Sequence, residues 1–268
     1  MELTWRGRAL LVLVVAACVL FLLAPLAIVV PVSFSSASYL QFPPPSYSFR
    51  WYDSYFSDNT WIDATILSVK LGLTVAAGAV GLGLLAAISL VRLNLPLKRT
   101  IRMVLMAPLI VPAVVVAIAV YKQYADLHLI GSFWGVAAAH TILALPFSVM
   151  LLTNGLQQLD FSMEEASYTL GANRIETYLR VVVPRLIPSI VSAALVSFII
   201  SWDEVIMVIF IGGSEATTLP LKMFSYLKTE INPTIAAIST LLIGLAVLAV
   251  AIVEIRNAFS RSRQTTSE

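Results

Sequence analysis

Two adjacent acids are the side chains best suited to chemistry in this sequence. Asp203 and Glu204 follow Trp202 within a long apolar run. By insertion scales an Asp at the centre of a bilayer costs about 2.5 kcal/mol or more, so carboxylates there must face water, a cavity or a partner. They suit a cationic solute, although a structural pair between two packed chains is the alternative. Because neighbours on a helix point about 100° apart, we expect one acid to face a pathway and the other to serve a helix contact.

A further charged candidate is Lys70, which lies within a different apolar run. If that run starts at Ile62 and the run holding the acids ends at Ile211, a rise of about 1.5 Å per residue puts all three charges about 10–12 Å below the same surface. Pairing would reduce the burial cost of both partners, so we expect Lys70 to neutralise one acid. Snorkelling of the lysine toward the outer surface is the alternative.

Other kinds of site are not supported by the residues present. With only two histidines, His128 and His140, no metal-ligand set can be assembled, so we expect no metal ion. The G-x-x-x-x-G-K-[ST] phosphate loop and the G-x-S-x-G nucleophile elbow are absent, so neither ATP binding nor covalent catalysis is expected of this chain. His140, inside an apolar run, is predicted to be a hydrogen-bonded packing residue.

The longest polar interruption in the second half of the chain is the stretch 160–188. It contains two residue pairs at capping-box spacing, Ser162 with Glu165 and Asn173 with Glu176, and so predicts two short helices. These helices should cover about 163–170 and 174–183.

Gly171 marks the predicted elbow between the two helices, because glycine accepts the left-handed conformation that ends a helix. Pro184 should end the second helix, because the residue before a proline disfavours the helical region. A helix, an elbow and a second helix also describe a DNA-binding helix-turn-helix, but membrane-length apolar runs on both sides leave no room for the additional helix of such a domain. A passive structured loop is the remaining alternative.

The same stretch resembles a family signature. Glu165-Ala166-Ser167, then Gly171, then Val181-x-Val183-Pro184 match in spacing the EAA motif of bacterial ABC importer permeases with a MetI-like transmembrane domain, in which Glu-Ala-Ala and Gly precede Ile-x-Leu-Pro. The resemblance implies that the first helix is a coupling helix, which docks on a cytoplasmic ATPase and transmits its movement. The residues assigned to coupling are Glu164, Glu165, Ala166, Ser167, Tyr168, Leu170, Gly171, Ala172 and Pro184.

Composition places the chain in a membrane. Of 268 residues, 59% are apolar and 12% are charged, whereas soluble proteins average about 25% charged residues. The net charge of +2 is too small to indicate nucleic-acid binding. Six apolar segments are each long enough to cross the hydrocarbon, at about 9–31, 62–91, 103–121, 132–152, 188–211 and 234–253. The predicted fold class is all-α, with six transmembrane helices in a single domain over 1–268.

The distribution of Lys and Arg predicts the orientation. With the N-terminus inside, twelve basic residues outside the spans lie on the cytoplasmic side and four on the other side. The positive-inside rule therefore predicts that both termini are cytoplasmic. It also puts the predicted coupling loop, 154–187, where an ATPase could reach it. The first apolar run is too long for a signal-peptide core, so we expect a retained span.

The first outer loop, 33–61, indicates which branch of this family the chain resembles. Its three consecutive prolines and its aromatic residues predict an extended segment at the membrane interface, with candidate anchors Trp51, Tyr52, Tyr55 and Trp61. The proline-rich stretch followed by Arg-Trp-Tyr, together with Ser201-Trp202-Asp203-Glu204, resembles the spermidine/putrescine branch of the family, which also includes opine importers.

By resemblance, the chain is a non-catalytic permease subunit of a type I ABC importer in the bacterial inner membrane, and it forms half of a pathway. The implied partners, besides the lipid bilayer, are a second permease, identical or homologous, a cytoplasmic ATPase dimer that holds ATP and Mg²⁺, and an extracytoplasmic solute-binding protein. A polyamine is the favoured solute, with Lys70, Trp202, Asp203 and Glu204 as pathway residues. Opines, amino-acid derivatives, thiamine, ferric ion and phosphonates are the alternatives.

Two other classes are less well supported by the sequence. A secondary transporter would be indicated by internal inverted repeats, and none is visible. A membrane-embedded enzyme would need a nucleophile or a metal partner beside Asp203 and Glu204, and the spans supply neither.

Overall fold

The structure, a computed structural model, describes residues 5–213, 216–229 and 232–265, and the regular elements among them are helical, as predicted. A 3-10 turn, Ala107–Leu109, and a π-helical segment, Tyr178–Val182, interrupt the α-helices. In chain order the α-helices are α1 Trp5–Ser33, α2 Arg50–Ser57, α3 Asn59–Arg92, α4 Lys98–Met106, α5 Ala113–Asp126, α6 Phe133–Gln158, α7 Ser162–Thr169, α8 Arg174–Thr177, α9 Val183–Asp203, α10 Ile206–Ile211, α11 Leu219–Thr229 and α12 Thr234–Thr265.

The chain forms two compact units, one within residues 1–62 and 223–268 and the other within Asp63–Lys222. In the first unit α1 packs along α12, and α12 also contacts α2. The middle of α1 is apolar on every side and uncovered by its own chain, with Val12 68% and Phe21 79% exposed. A helix that is apolar all round is typical of a membrane span, so α1 agrees with the predicted first span.

The loop 33–61 was predicted to be extended throughout. This prediction is wrong for part of the loop, because α2 lies within it. Three of the aromatic residues expected at the membrane interface, Trp51, Tyr55 and Trp61, are buried instead. The Trp51 indole N–H donates to the backbone carbonyl of Ser35 over 2.8 Å. A buried indole needs such an acceptor, so this bond is one physical reason for the aromatic residues to pack inward.

The third predicted span, 103–121, is not one continuous helix. The segments Lys98–Leu109 and Ala113–Asp126 meet at 100° across a short break. Pro108 and Pro112 account for the break, because proline lacks an N–H and restricts the residue before it. Among the described residues, five helices are long and apolar enough to cross a membrane, or six if this bent pair is one span.

The fifth predicted span differs from expectation at both ends. α8, the π-helical segment and α9 form one continuous helix, so Pro184 does not end the second helix of the polar stretch. The π-helical turn directly before Pro184 changes the hydrogen-bond spacing, which lets the helix pass a residue without an N–H. At its C-terminal end the helix stops at Asp203 rather than Ile211. Because α6 also reaches Gln158, the loop between helical spans shortens from the predicted 154–187 to 159–173.

α6 and α9 form the centre of the second unit, and two polar pairs lie buried between them. His140 Nδ1 is 3.0 Å from Ser201 Oγ, and Ser148 Oγ is 2.9 Å from Ser197 Oγ. Inside a membrane, such pairs satisfy polar groups that water does not reach. The first pair confirms His140 as a hydrogen-bonded packing residue.

Gly83 lets α3 approach α6 closely. A methyl group there would lie 2.8 Å from Ser148 Cβ and 3.3 Å from the Ser148 carbonyl carbon, whereas one at Gly81 would meet nothing within 4 Å. We expect Gly83→Ala to lower the melting temperature of the purified chain, through overpacking that costs about 1–3 kcal/mol. Gly81→Ala is the matched control and should leave the melting temperature unchanged or slightly higher, because alanine favours helices. Equal melting temperatures for the two variants would contradict this close packing.

Candidate coupling helix and intramembrane acidic site

The short turn 159–161 connects α6 to α7, and Asp160 in this turn stabilises the start of α7. The Asp160 carboxylate accepts a hydrogen bond from the Ser162 backbone N–H over 2.9 Å. This bond, from the Ser162 backbone, lowers the pKa of Asp160 below its ordinary value. The predicted capping box of Ser162 with Glu165 is therefore wrong, because Ser162 is already the first helical residue and the N-cap position belongs to Phe161, whose side chain forms no capping hydrogen bond.

The predicted elbow after α7 is confirmed. Gly171 has a φ of +89°, in the region that favours glycine, and its N–H donates to the Tyr168 carbonyl over 3.0 Å. Asn173 then starts α8 with the predicted capping box: its side-chain oxygen accepts from the Glu176 N–H over 2.9 Å, and the Glu176 carboxylate accepts from the Asn173 N–H over 3.2 Å. The elbow is thus fixed by backbone geometry and by a local cap.

The outer face of the elbow is apolar and uncovered. Leu170 is 88% exposed and Ile175 is 72% exposed, and Tyr168 is also exposed beside them. Glu165 and Ala166 lie on the exposed side of α7, whereas Ser167 and Ala172 are half-buried. Exposed apolar side chains on a short, polar-rimmed helix are typical of a protein-protein contact. These residues therefore lie where a docking partner could reach them.

Glu164 differs from the other predicted coupling residues, because it is buried. Its carboxylate forms an ion pair with Arg92, at the end of α3, with Oε1 2.7 Å from Nη2 and 2.9 Å from Nε. Glu164 is therefore turned toward α3, away from the exposed side of α7, and its role in coupling stays a prediction. Sequence reasoning missed Arg92, and its only signal was a basic residue in the last turn of α3.

A second contact joins α7 to the helix that follows the elbow. The Ser167 hydroxyl lies 3.0 Å from the Thr177 hydroxyl, and Thr177 is buried. Pro184 lies exposed on α9, beyond the π-helical segment, and outside this contact. The sequence-predicted coupling residues therefore gather around α7 and the elbow, with Pro184 apart from them.

The break after α9 separates the two intramembrane acids. Glu204 has an extended backbone, with φ −81° and ψ 103°, and its carboxylate accepts a hydrogen bond from the Met207 N–H of α10 over 2.9 Å. Asp203, the last residue of α9, is exposed, and within the described ranges it forms no ion pair. The structure thus gives Glu204 a helix-capping contact and leaves Asp203 open.

The predicted ion pair between Lys70 and one of these acids is wrong. Gly72 faces α9, where a Cβ would come 2.6 Å from the Phe198 ring. Two residues along a helix turn by about 200°, so Lys70 points away from α9. It lies in an exposed stripe with Ile66 and Leu73, and among the described residues it has no ion-pair partner. Depth could be estimated from the sequence, but the rotation of α3 could not.

Trp202 and Ser201 are held by side chains from neighbouring turns and helices. The Trp202 ring stacks on Phe198, with centroids 5.8 Å apart, while the Ser201 hydroxyl pairs with His140. Within the described ranges no three His, Cys, Asp or Glu side chains lie together as metal ligands would. The half-buried Trp202 and the exposed Asp203 form one small site at the end of α9, called the acidic site below.

A family model described as a binding-protein-dependent transport system inner membrane component matches residues 79–259. The chain belongs to this family. The matched range includes α7, the Gly171 elbow and the acidic site, so the predicted EAA-type permease is confirmed at the level of the family. The chain is accordingly a multi-pass inner-membrane permease subunit and is not itself an enzyme.

Individual relatives agree with the family. The chain is 30% identical over 241 residues to the spermidine/putrescine transport system permease protein PotC of Haemophilus influenzae, covering 90% of this chain and 92% of the relative. It is 31% identical over 234 residues to the putrescine transport system permease protein PotI of Escherichia coli, covering 84% and 82%. Its fold matches a bacterial ABC transporter involved in import of the acidic polysaccharide alginate, with a TM-score of 0.77, 16% identity, and coverage of 95% and 98%. The type I ABC importer permease fold is thereby confirmed.

Substitution of Gly171 tests the effect of its backbone conformation alone, without a steric clash of the new side chain. A Cβ at Gly171 would meet nothing within 4 Å, so only the positive φ opposes substitution. We expect Gly171→Val to distort the elbow, at a cost of about 1–2 kcal/mol, and to uncouple ATP hydrolysis from uptake in the assembled importer while the permease still inserts. Gly171→Asn is the matched control, because asparagine tolerates the left-handed region, and it should keep most of the uptake. Full uptake by Gly171→Val would disprove the role of the elbow.

Proposed function

We propose that this permease forms half of the pathway of an ATP-driven importer for a polyamine, such as spermidine or putrescine. The named substrates of the relatives PotC and PotI support this solute. The observation that carries the proposal is the open carboxylate of Asp203 at the interrupted end of α9. The last carbonyls of a helix carry partial negative charge, so this helix end and its acid together favour a cation.

The proposed partners contact the permease on the two sides of the membrane and within it. A cytoplasmic ATPase dimer, which binds ATP and Mg²⁺, docks on the exposed side of α7 around Tyr168 and Leu170. A second permease, identical or homologous, completes the pathway, and an extracytoplasmic binding protein delivers the solute. This arrangement is supported by the family description, which names binding-protein-dependent transport, and by the apolar exposed elbow.

Transport then has a simple physical order. Closure of the ATPase pair moves α7, and the movement opens the pathway toward the binding protein. Asp203 attracts the cationic solute, while Trp202 offers an aromatic face to its amines, an attraction worth about 0.5–2 kcal/mol. Hydrolysis resets α7 and releases the solute into the cytoplasm. Both termini, with the basic clusters beside the spans, lie on the cytoplasmic side.

The contributions of Asp203 and Glu204 to uptake can be compared by neutralising each acid in turn. We expect Asp203→Asn to reduce spermidine uptake by about tenfold or more, because it removes the open charge while leaving the fold unchanged. Glu204→Gln is the matched control: its amide oxygen can still accept from the Met207 N–H, so uptake should fall less. Uptake of radiolabelled spermidine by cells that express the permease with its ATPase, second permease and binding protein measures both. Equal effects of the two variants would argue against a special role for Asp203.

The same cells test the solute class. Competition by putrescine, but not by an opine or thiamine, is the expected result. Uptake that is blocked by an opine and unaffected by polyamines would keep the importer function and replace the proposed solute.

Orientation can be tested by labelling in a Cys18→Ser background, because Cys18 is the one cysteine of the chain. Ser46, in the first outer loop, and Ile175, after the elbow, are both exposed. We expect Ser46→Cys to react with an impermeant thiol reagent added to intact cells, and Ile175→Cys to react only after the cells are opened. Reversed labelling would overturn the orientation and the access of a cytoplasmic ATPase to α7.

A further inference from the structure

One side chain joins three helices in the coupling region. The Arg92 guanidinium, from the end of α3, pairs with Glu164 of α7 and donates through Nη2 to the backbone carbonyl of Leu156 in α6 over 3.3 Å. Its charge also lies 5.2 Å from the centre of the Phe161 ring, in the turn before α7. We call this set of contacts the Arg92 clamp.

The clamp lies in a poorly solvated place. The Arg92 side chain is 14% exposed and that of Glu164 is 3% exposed, so salt and water screen the pair weakly. Loss of either partner would leave an uncompensated buried charge, which is strongly unfavourable. The outer face of α7 is, by contrast, open. The clamp therefore holds the inner side of the helix that a partner would contact from outside.

The cytoplasmic ends of α3 and α6 also belong to one apolar cluster. Ala87 of α3, Leu152 and Leu156 of α6, Val182 and Leu186 pack together with little or no exposure. Arg92 sits one turn beyond Ala87, and its carbonyl acceptor is Leu156 itself. A displacement of α7 that is passed through Arg92 would thus reach a packed core, which transmits strain rather than absorbing it.

We propose that Arg92 is a positioning residue that carries the displacement of α7 to α3 and α6 together. The inference rests on the proposed function, in which an ATPase moves α7. The planar guanidinium has donors in a fixed fork, so it can hold the Glu164 carboxylate and the Leu156 carbonyl at once. A lysine keeps the charge but is a flexible point donor, so it would hold α7 without fixing its distance from both helices.

The test uses Arg92→Lys in the complete importer, with Arg99→Lys as the matched control, because Arg99 is an exposed arginine of α4. We expect both variants to reach the membrane and to co-purify with the ATPase in normal amounts. Arg92→Lys should raise the ATP hydrolysed per solute imported by about two- to thirtyfold, the range of mutations that alter coupling between sites. Arg99→Lys should leave this ratio unchanged.

A distance measurement separates positioning from mere stability. Spin labels at the exposed positions Leu93 and Thr169 report the separation of α3 from α7. With Arg92 present, we expect the same distance in the nucleotide-free and ATP-bound importer, because the two helices move together. With Arg92→Lys, the distance should differ between the two states.

The results of these two experiments distinguish failure of the Arg92 clamp from failure of the proposed function. An unchanged ATP-to-solute ratio in Arg92→Lys, or a label distance that is already state-dependent with Arg92 in place, would overturn the clamp. Loss of abundance with an unchanged ratio would likewise show a purely structural residue. Failure of the unmodified permease to support ATP-driven uptake with its partners would instead overturn the proposed function.

Discussion

Hydrocarbon offers no hydrogen bonds, and this constraint governs each place where an apolar segment departs from an α-helix. After α4 the 3-10 turn supplies its own bonds, with the Ile110 N–H donating to the Ala107 carbonyl over 3.0 Å. After α9 the Glu204 carboxylate accepts from the Met207 N–H. Each interruption is thus permitted by a local acceptor. At the second interruption Glu204 satisfies the broken backbone, and the neighbouring Asp203 stays exposed.

The same constraint explains the seam between α6 and α9. Leucine side chains gain little from packing against each other when lipid tails are equally apolar, so small and hydroxylated residues hold membrane helices together. Here Ser148 pairs with Ser197 and also lies against Gly83 of α3. One serine therefore lies at the contact of three helices. The buried His140–Ser201 pair extends the seam to the residue that precedes Trp202 and Asp203.

Features that depend on neighbouring residues could be predicted from the sequence, and those that depend on helix rotation or distant pairing could not. The positive φ of Gly171 and the Asn173 cap follow from local chemistry, and both were predicted. The Arg92–Glu164 pair joins residues 72 positions apart, and no local pattern selects it. The end of α9 was missed because apolar residues continue on both sides of Asp203. Lys70 was misassigned because depth follows from counting residues, whereas direction requires knowing that Gly72 faces α9.

The continuous helix from Arg174 to Asp203, which includes the π-helical turn, fixes how its two ends are rotated relative to each other. Its 30 residues span about 45 Å, so it reaches from the elbow to the acidic site as a single rod. Twisting one end of a rod turns the other, and the angle between the two sites is set by the number of residues between them. A single residue inserted within this helix would rotate Asp203 by about 100° relative to the elbow while every motif residue stayed intact. The length of this helix therefore determines the direction of the Asp203 side chain as seen from the elbow.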